Sequence, residues 1–269
     1  MTPSLHHIRA FLKRDYVLAS ASPLAYAWQV AGIVLVAPLL HYVGRLVPAS
    51  QHLRPFGGDY FSFVVLGLGV FGFLAAATTT VGTAMRQEQT VGTIEAVLAS
   101  PVSLFGLVLG AALWPVIIAG TNMVLYLLIA RWAFGADLAK ANFFSGGIIL
   151  ALALFIAVAL SVLGAAVVLV FRHPDPFSAA FTGVSAVLAG VFYPPSVLPP
   201  TLQRLAEFLP WTHVLRAVRL AVLQGYGLGA LQRELFVLAG FAVILVPVSI
   251  AVLRRALQYA KTAGTLHTY

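Results

Sequence analysis

The sequence predicts an all-α polytopic membrane protein with six transmembrane helices, and three features of the residue pattern carry that expectation. Only 9% of the residues are charged while 61% are hydrophobic. Soluble domains carry about a quarter charged residues, so this chain cannot cover a globule with polar surface. Charged residues instead punctuate the sequence and leave six long uncharged runs, 16–44, 60–85, 96–130, 141–171, 176–203 and 235–253. Each run holds a helix of about 20 residues, the length that a hydrocarbon core of about 30 Å requires. The runs are continuously apolar and lack the alternation of barrel strands, so helices are expected.

A single transmembrane domain, 1–269, follows, and its elements are read in order. Leu5, Ile8, Phe11, Leu12 and Tyr16 share one helical face, with His6, Arg9, Lys13 and Arg14 on the other. Residues 4–20 are therefore expected to lie in the interface as an N-terminal helix. The first crossing, about 24–44, leads through a loop with Pro48 and Pro55 to the second, about 61–82. The third, about 104–130, carries Gly106-x-x-x-Gly110, a spacing that lets helices approach closely, and Pro115, expected to kink it. The fourth runs to Phe171, and Arg172-His-Pro-Asp-Pro176 makes a polar turn. Beyond the fifth, about 177–193, prolines cluster at 194, 195, 199, 200 and 210. No helix passes unbroken through them. Segments 201–209 and 211–224 are too short to span, and Leu215, Val218 and Val222 oppose Arg216 and Arg219. Residues 194–230 are accordingly read as short re-entrant or extracellular helices at the far membrane face. The sixth crossing, about 235–253, ends at Arg254-Arg255.

Composition also excludes. The net charge of +8 is spread between apolar runs, which suits anionic lipid headgroups and not nucleic acid. There is no cysteine, and no two of the seven histidines are four residues apart, so no metal site is expected. A phosphate-binding loop needs Gly-Lys-Ser/Thr; Lys13, Lys140 and Lys261 follow Leu12, Ala139 and Ala260. The chain is thus not expected to hydrolyse ATP itself. Ser185, in Gly183-Val-Ser-Ala-Val, is no nucleophile elbow, and no catalytic residue is assigned. No Asp, Glu, Lys or Arg falls inside a predicted crossing, which argues against a proton-driven transporter. For Thr78, Thr79, Thr80, Asn122 and Ser161, hydrogen bonding between or within helices is favoured over substrate contact.

Between the second and third crossings lies a polar island, residues 86–101. At helical spacing Val91, Ile94, Val97 and Leu98 gather on one side, with Glu88 and Glu95 in line at its margin. Such a helix can lie on a membrane surface and show carboxylates to a partner. Its pattern, Glu88, Gly92-Thr93-Ile94-Glu95, Leu98 and Pro101, resembles the cytoplasmic coupling segment of type-2 (ABC-2-type) ABC exporter permeases. Gly190-Val-Phe-Tyr-Pro194, Ser196, Leu198-Pro199, Leu209-Pro210-Trp-Thr212 and Arg216 resemble a later stretch of the same family.

The resemblance implies a permease subunit without its own cofactor, worked by a separate cytoplasmic ATPase that binds ATP and Mg. It also implies a second permease copy, expected as a homodimer, with a heterodimer left open. Glu88, Gly92, Thr93 and Glu95 become candidate ATPase-coupling residues, with Arg172 and Asp175 in a second contact. Thr79, Asn122, Tyr193, Phe208 and Trp211 are candidates for a substrate pathway or gate. Lys and Arg divide eight against eight between the two sides, so charge does not orient the chain. The coupling segment does, placing both termini in the cytoplasm of a bacterium or archaeon. An uncharged interior suits lipid-like or amphipathic cargo: a glycolipid, a lipid-linked polysaccharide, a drug or a peptide. The alternatives are a passive channel or scaffold, or a secondary transporter not coupled to ATP.

Overall fold

A computed structural model describes residues 23–46, 51–92, 104–171 and 175–262, and every regular element among them is helical. The expected interfacial helix at 4–20 lies outside the described residues. α1 spans Pro23–Leu46, close to the first expected crossing. α2, Tyr60–Val91, opens on Asp59, whose carboxylate accepts from the Phe61 and Ser62 amides at 3.2 and 2.9 Å, an N-cap that satisfies two otherwise orphan donors.

At 32 residues α2 is a rod of about 48 Å, longer than the bilayer core. The helix of the second crossing, expected to end near 82, thus takes in the first residues of the expected coupling segment 86–101, of which 93–101 lie outside the described residues. Nothing between Thr83 and Val91 breaks a helix, so α2 runs on into the coupling segment until Gly92. There the backbone turns left-handed at φ 78°, and the Gly92 amide donates back to Glu88 and Gln89. Only glycine takes that conformation at little cost. Glu88 therefore sits on α2 itself.

α3, Leu104–Phe134, passes through Pro115 as one helix. α4, Phe143–Phe171, begins where Asn142 Oδ1 accepts from Ser145 N at 3.0 Å. α5, Pro176–Leu188, has only 13 residues, about 20 Å, and does not span alone. It stops short of residue 193 because Gly190 turns at φ 82° and Pro194-Pro195 cannot continue a helix. α6, Pro200–Glu207, and α7, Pro210–Gln224, are the expected pair of short helices, each starting on proline. α8, Gln232–Thr262, ends the described chain.

Four helices, not six, are long and apolar enough to cross a membrane over their described residues: α2, α3 from Val108, α4, and α8 with the turn before it. Within the molecule, 78% and 61% of the apolar windows of α2 and α4 are buried, against 17% and 11% for α3 and α8. α2 and α4 therefore form the centre of the bundle. α7 enters that centre: Trp211, Leu215 and Val218 pack with Leu66, Val70 and Leu74 of α2, Ile149, Ile156 and Leu160 of α4, and Leu238 of α8. A second cluster, at the Gly92 end, joins Val81 and Met85 of α2 to Val162, Ala165 and Leu169 of α4 and to Leu253 and Leu257 of α8.

Candidate functional site

The coupling end is built on the last three turns of α2. Glu88 is half-buried there and Gly92 exposed. Gln89 is buried between α2 and α4, and its Nε2 donates to Val168 O at 3.3 Å. That bond ties the tip of the rod to its central partner. Thr93, Glu95 and Arg172 lie outside the described residues.

Asp175, expected beside Arg172 at a second ATPase contact, turns inward. Oδ1 accepts from Ser178 N at 3.0 Å and caps α5, while Oδ2 is buried without a partner. The carboxylate occupies a slot between α2 and α4 that exists because Gly82 and Gly164 have no side chains. A Cβ at Gly82 would stand 2.7 Å from Oδ2, and one at Gly164 would collide with Oδ2 and sit 2.5 Å from Ser178 Oγ. Ser178 Oγ in turn donates to Thr78 O at 3.2 Å. Asp175 and Ser178 thus hold α5 against the coupling half of α2.

Beside this slot the Thr78, Thr79 and Thr80 hydroxyls donate back to Leu74 O, Ala76 O and Ala77 O at 2.7, 3.0 and 3.0 Å. Ser161 Oγ accepts from Val81 N at 2.7 Å and meets Thr80 Oγ1 at 3.3 Å. Such back-bonding weakens a helix locally, so α2 carries a soft point between its bilayer portion and its tip. Thr79 is satisfied within its own helix, as favoured from sequence. Asn122 is not: its Oδ1 is buried without a partner.

At the opposite end the candidate gate residues separate. Phe208 is 77% exposed and Trp211 is 0% exposed, its ring against Phe181 in the core. Tyr193 bonds the Val187 carbonyl at 2.7 Å. Arg216 and Arg219, expected together opposite Leu215, Val218 and Val222, have different surroundings: Arg216 stays partly exposed while Arg219 is enclosed by protein. Arg219 is 2% exposed; Nε, Nη1 and Nη2 donate to Phe63 O, Gly190 O and Val191 O at 3.2, 2.7 and 2.9 Å, over the Phe63 ring at 3.5 Å. The close approach is possible because Gly67 has no side chain: a Cβ there would lie 2.6 Å from Val191 O and collide with Arg219. Residue type alone marks no such position; an arginine amid apolar residues before Gly225 was the available hint.

Arg216 joins a charged cluster at the start of α8. It donates to Glu207 at 2.8 Å and Glu234 at 3.3 Å, while His213 Nδ1 lies 2.5 Å from Glu234 Oε2 and Nε2 3.0 Å from Glu207 O. Both imidazole nitrogens face acceptors, an arrangement only the doubly protonated ring satisfies. Burial opposes that charge, but the hydrogen bonds and charges of Glu234 and Glu207 outweigh it, and His213 titrates above its ordinary 6.5. For Glu207, burial is outweighed by Arg216 and its carboxyl is held below the usual range. The stabilisation from His213 is complete below its unfolded value and is lost as pH rises through the raised folded value. That from Glu207 is lost only as pH falls through its lowered value. Thermal unfolding of the full chain in detergent is expected highest in mildly acidic buffer and a few degrees lower in alkaline buffer. His213→Gln should flatten the alkaline slope; an unchanged slope would remove His213 as its cause.

Taken together, a bundle of long apolar helices with a polar tip on its central rod defines a multi-pass membrane protein. A family model described as ABC-2 type transporter matches residues 6–223, and the chain belongs to that family, that of the membrane-spanning permease subunits of ABC transporters. No curated protein matches the chain.

Proposed function

We propose that this chain is the membrane-spanning subunit of an ATP-driven exporter of lipid-like or amphipathic cargo. It works in the cytoplasmic membrane of a bacterium or archaeon, with both termini inside and six crossings. α5 and the α6–α7 hairpin together complete the fifth of these and the outer face. A separate cytoplasmic ATPase binds ATP and Mg, and a second permease copy provides the other wall of the pathway. The observation that carries this reading is the continuity of α2 from Asp59 to Gly92, a single rod from the far membrane face into the coupling segment.

Closure of the ATPases displaces the tip of α2 through Glu88, Gly92, Thr93 and Glu95. The rod bends at Thr78–Val81, and the Asp175 slot carries the displacement to α5. A ligand for the ATPase arises only if the two proteins touch, so charge reversal is the direct test. In proteoliposomes holding permease and ATPase, Glu95→Lys is expected to abolish stimulation of ATP hydrolysis by cargo while leaving insertion intact. Export should stop with vanadate and ignore an ionophore; ionophore-sensitive, vanadate-resistant transport would establish a secondary transporter instead.

A further inference from the structure

Between α1, α2 and α3 lies a cavity of about 350 Å³, within the range of about 300–1,000 Å³ that small-molecule sites occupy. Gly32 and Val36 of α1, Gly72 and Phe73 of α2, and Asn122 and Tyr126 of α3 are among its walls. A Cβ at Gly32 or Gly72 would meet nothing within 4 Å, so the missing side chains are what leave the space. Val36 at the rim is 39% exposed.

Two residues of this wall each carry a polar atom that is turned away from the open space and has no partner. Asn122 Oδ1 and Tyr126 Oη are both buried and unbonded. They are four residues apart, on one face of α3. Asn122 sits near the middle of the Val108–Phe134 span, at the depth where lipid tails offer nothing to hydrogen-bond. An unsatisfied amide oxygen there is costly, and such a group in a native structure calls for an explanation. Apolar cavities stay dry, and a polar visitor needs polar partners. None of the described lining residues is charged, so a phosphate or carboxylate would enter unpaired at large cost.

We infer that this cavity binds an amphiphile whose polar group is an uncharged hydroxyl or amide, held by the Asn122 amide with its apolar body against Phe73, the Tyr126 ring and the glycine wall. A turn of the Asn122 amide about its last side-chain bond brings Oδ1 to the occupant's donor. The site deepens the transport reading by setting the class of cargo headgroup, and it rests on that reading for its role, not for binding itself.

The test uses the full chain in lipid nanodiscs without any ATPase, and a long-chain alcohol carrying a photoreactive diazirine. The alcohol should label the cavity-facing part of α3 saturably, in competition with unlabelled alcohol and not with the matched fatty acid. Gly72→Leu fills the space from α2, and Gly32→Leu from α1 provides a second filler if the first does not fold. Either filler, and Asn122→Leu, should lower saturable labelling at least about fivefold, the worth of one lost hydrogen bond. Labelling unchanged by folded fillers, or equal labelling by the fatty acid or the alkane, would overturn the site. Saturable labelling in a chain whose transport ignores ATP would keep the cavity and remove the exporter. ATP-driven export with labelling indifferent to the fillers would do the reverse.

Discussion

Replacing Arg219 with methionine is expected to remove a large part of the stability of the chain. The methionine fills most of the volume and keeps the contact with Phe63, so packing loss is small; what disappears is the donor set. Phe63 O, Gly190 O and Val191 O each accept from the guanidinium and have no water to turn to. Phe63 O keeps its own helical bond within α2, but Gly190 O and Val191 O lose their donor; each buried carbonyl left unsatisfied costs about 1–3 kcal/mol, and the two together take a large part of the stability of a typical domain, about 5–15 kcal/mol. Arg219→Lys should fall between, because one ammonium on a shorter stem cannot follow three carbonyls placed for a planar fork. The measurement is the yield of monodisperse protein and its unfolding temperature in detergent. A methionine variant as stable as wild type would show that the turn at Gly190–Val191 holds to α2 without this cation.

The second large effect is expected at the slot between α2 and α4. Gly164→Ala places a methyl group against Asp175 Oδ2 and Ser178 Oγ, and overpacking of this kind costs about 1–3 kcal/mol. Asp175→Ala alone removes the cap of α5, worth about 1 kcal/mol. In the double variant the methyl group is relieved of Asp175 Oδ2 and meets only Ser178 Oγ, so the two losses should not add; a coupling above about 1 kcal/mol is expected between residues in contact. The same variants test the relay to α5. Gly164→Ala should reduce cargo transport per ATP in the reconstituted complex more than it reduces ATP hydrolysis. Strict additivity in stability, with transport and hydrolysis falling in step, would show that the slot is packing and not a link in the motion.

Both predictions concern polar groups that local sequence reading placed elsewhere. Arg219 was put on an outer face because Leu215, Val218 and Val222 oppose it at helical spacing, and periodicity assigns one side of a helix to solvent. α7 is buried against α2, α4 and α8 along most of its surface, and the stripe that keeps partial exposure is Arg216, Leu220 and Gln224, not Arg219. Asp175 was placed in a polar turn, which is where it lies in the chain; that its carboxylate folds back between Gly82 and Gly164 depends on residues some ten to ninety positions away. Trp211 was read as a gate candidate on the far-face hairpin for the same reason. The end of α2 was closer to legible, since Gly92 is the first glycine after a helix-compatible run, and the short α5 was foreshadowed by Gly190 and Pro194-Pro195.

By itself, then, the amino-acid sequence determined that the chain is helical and belongs in a membrane, the approximate places of its helices, that it carries no phosphate-binding loop, and which family its motifs resemble. These properties are local: hydropathy, proline, glycine and charge act within a turn or two of where they stand. Only the tertiary structure decided which helices form the centre, that α5 falls short of a crossing, and which polar groups are enclosed. In a chain whose helices are apolar on nearly every side, no stripe of residues says which neighbour a helix will meet. That choice is made by small residues and single hydrogen bonds between segments distant in sequence.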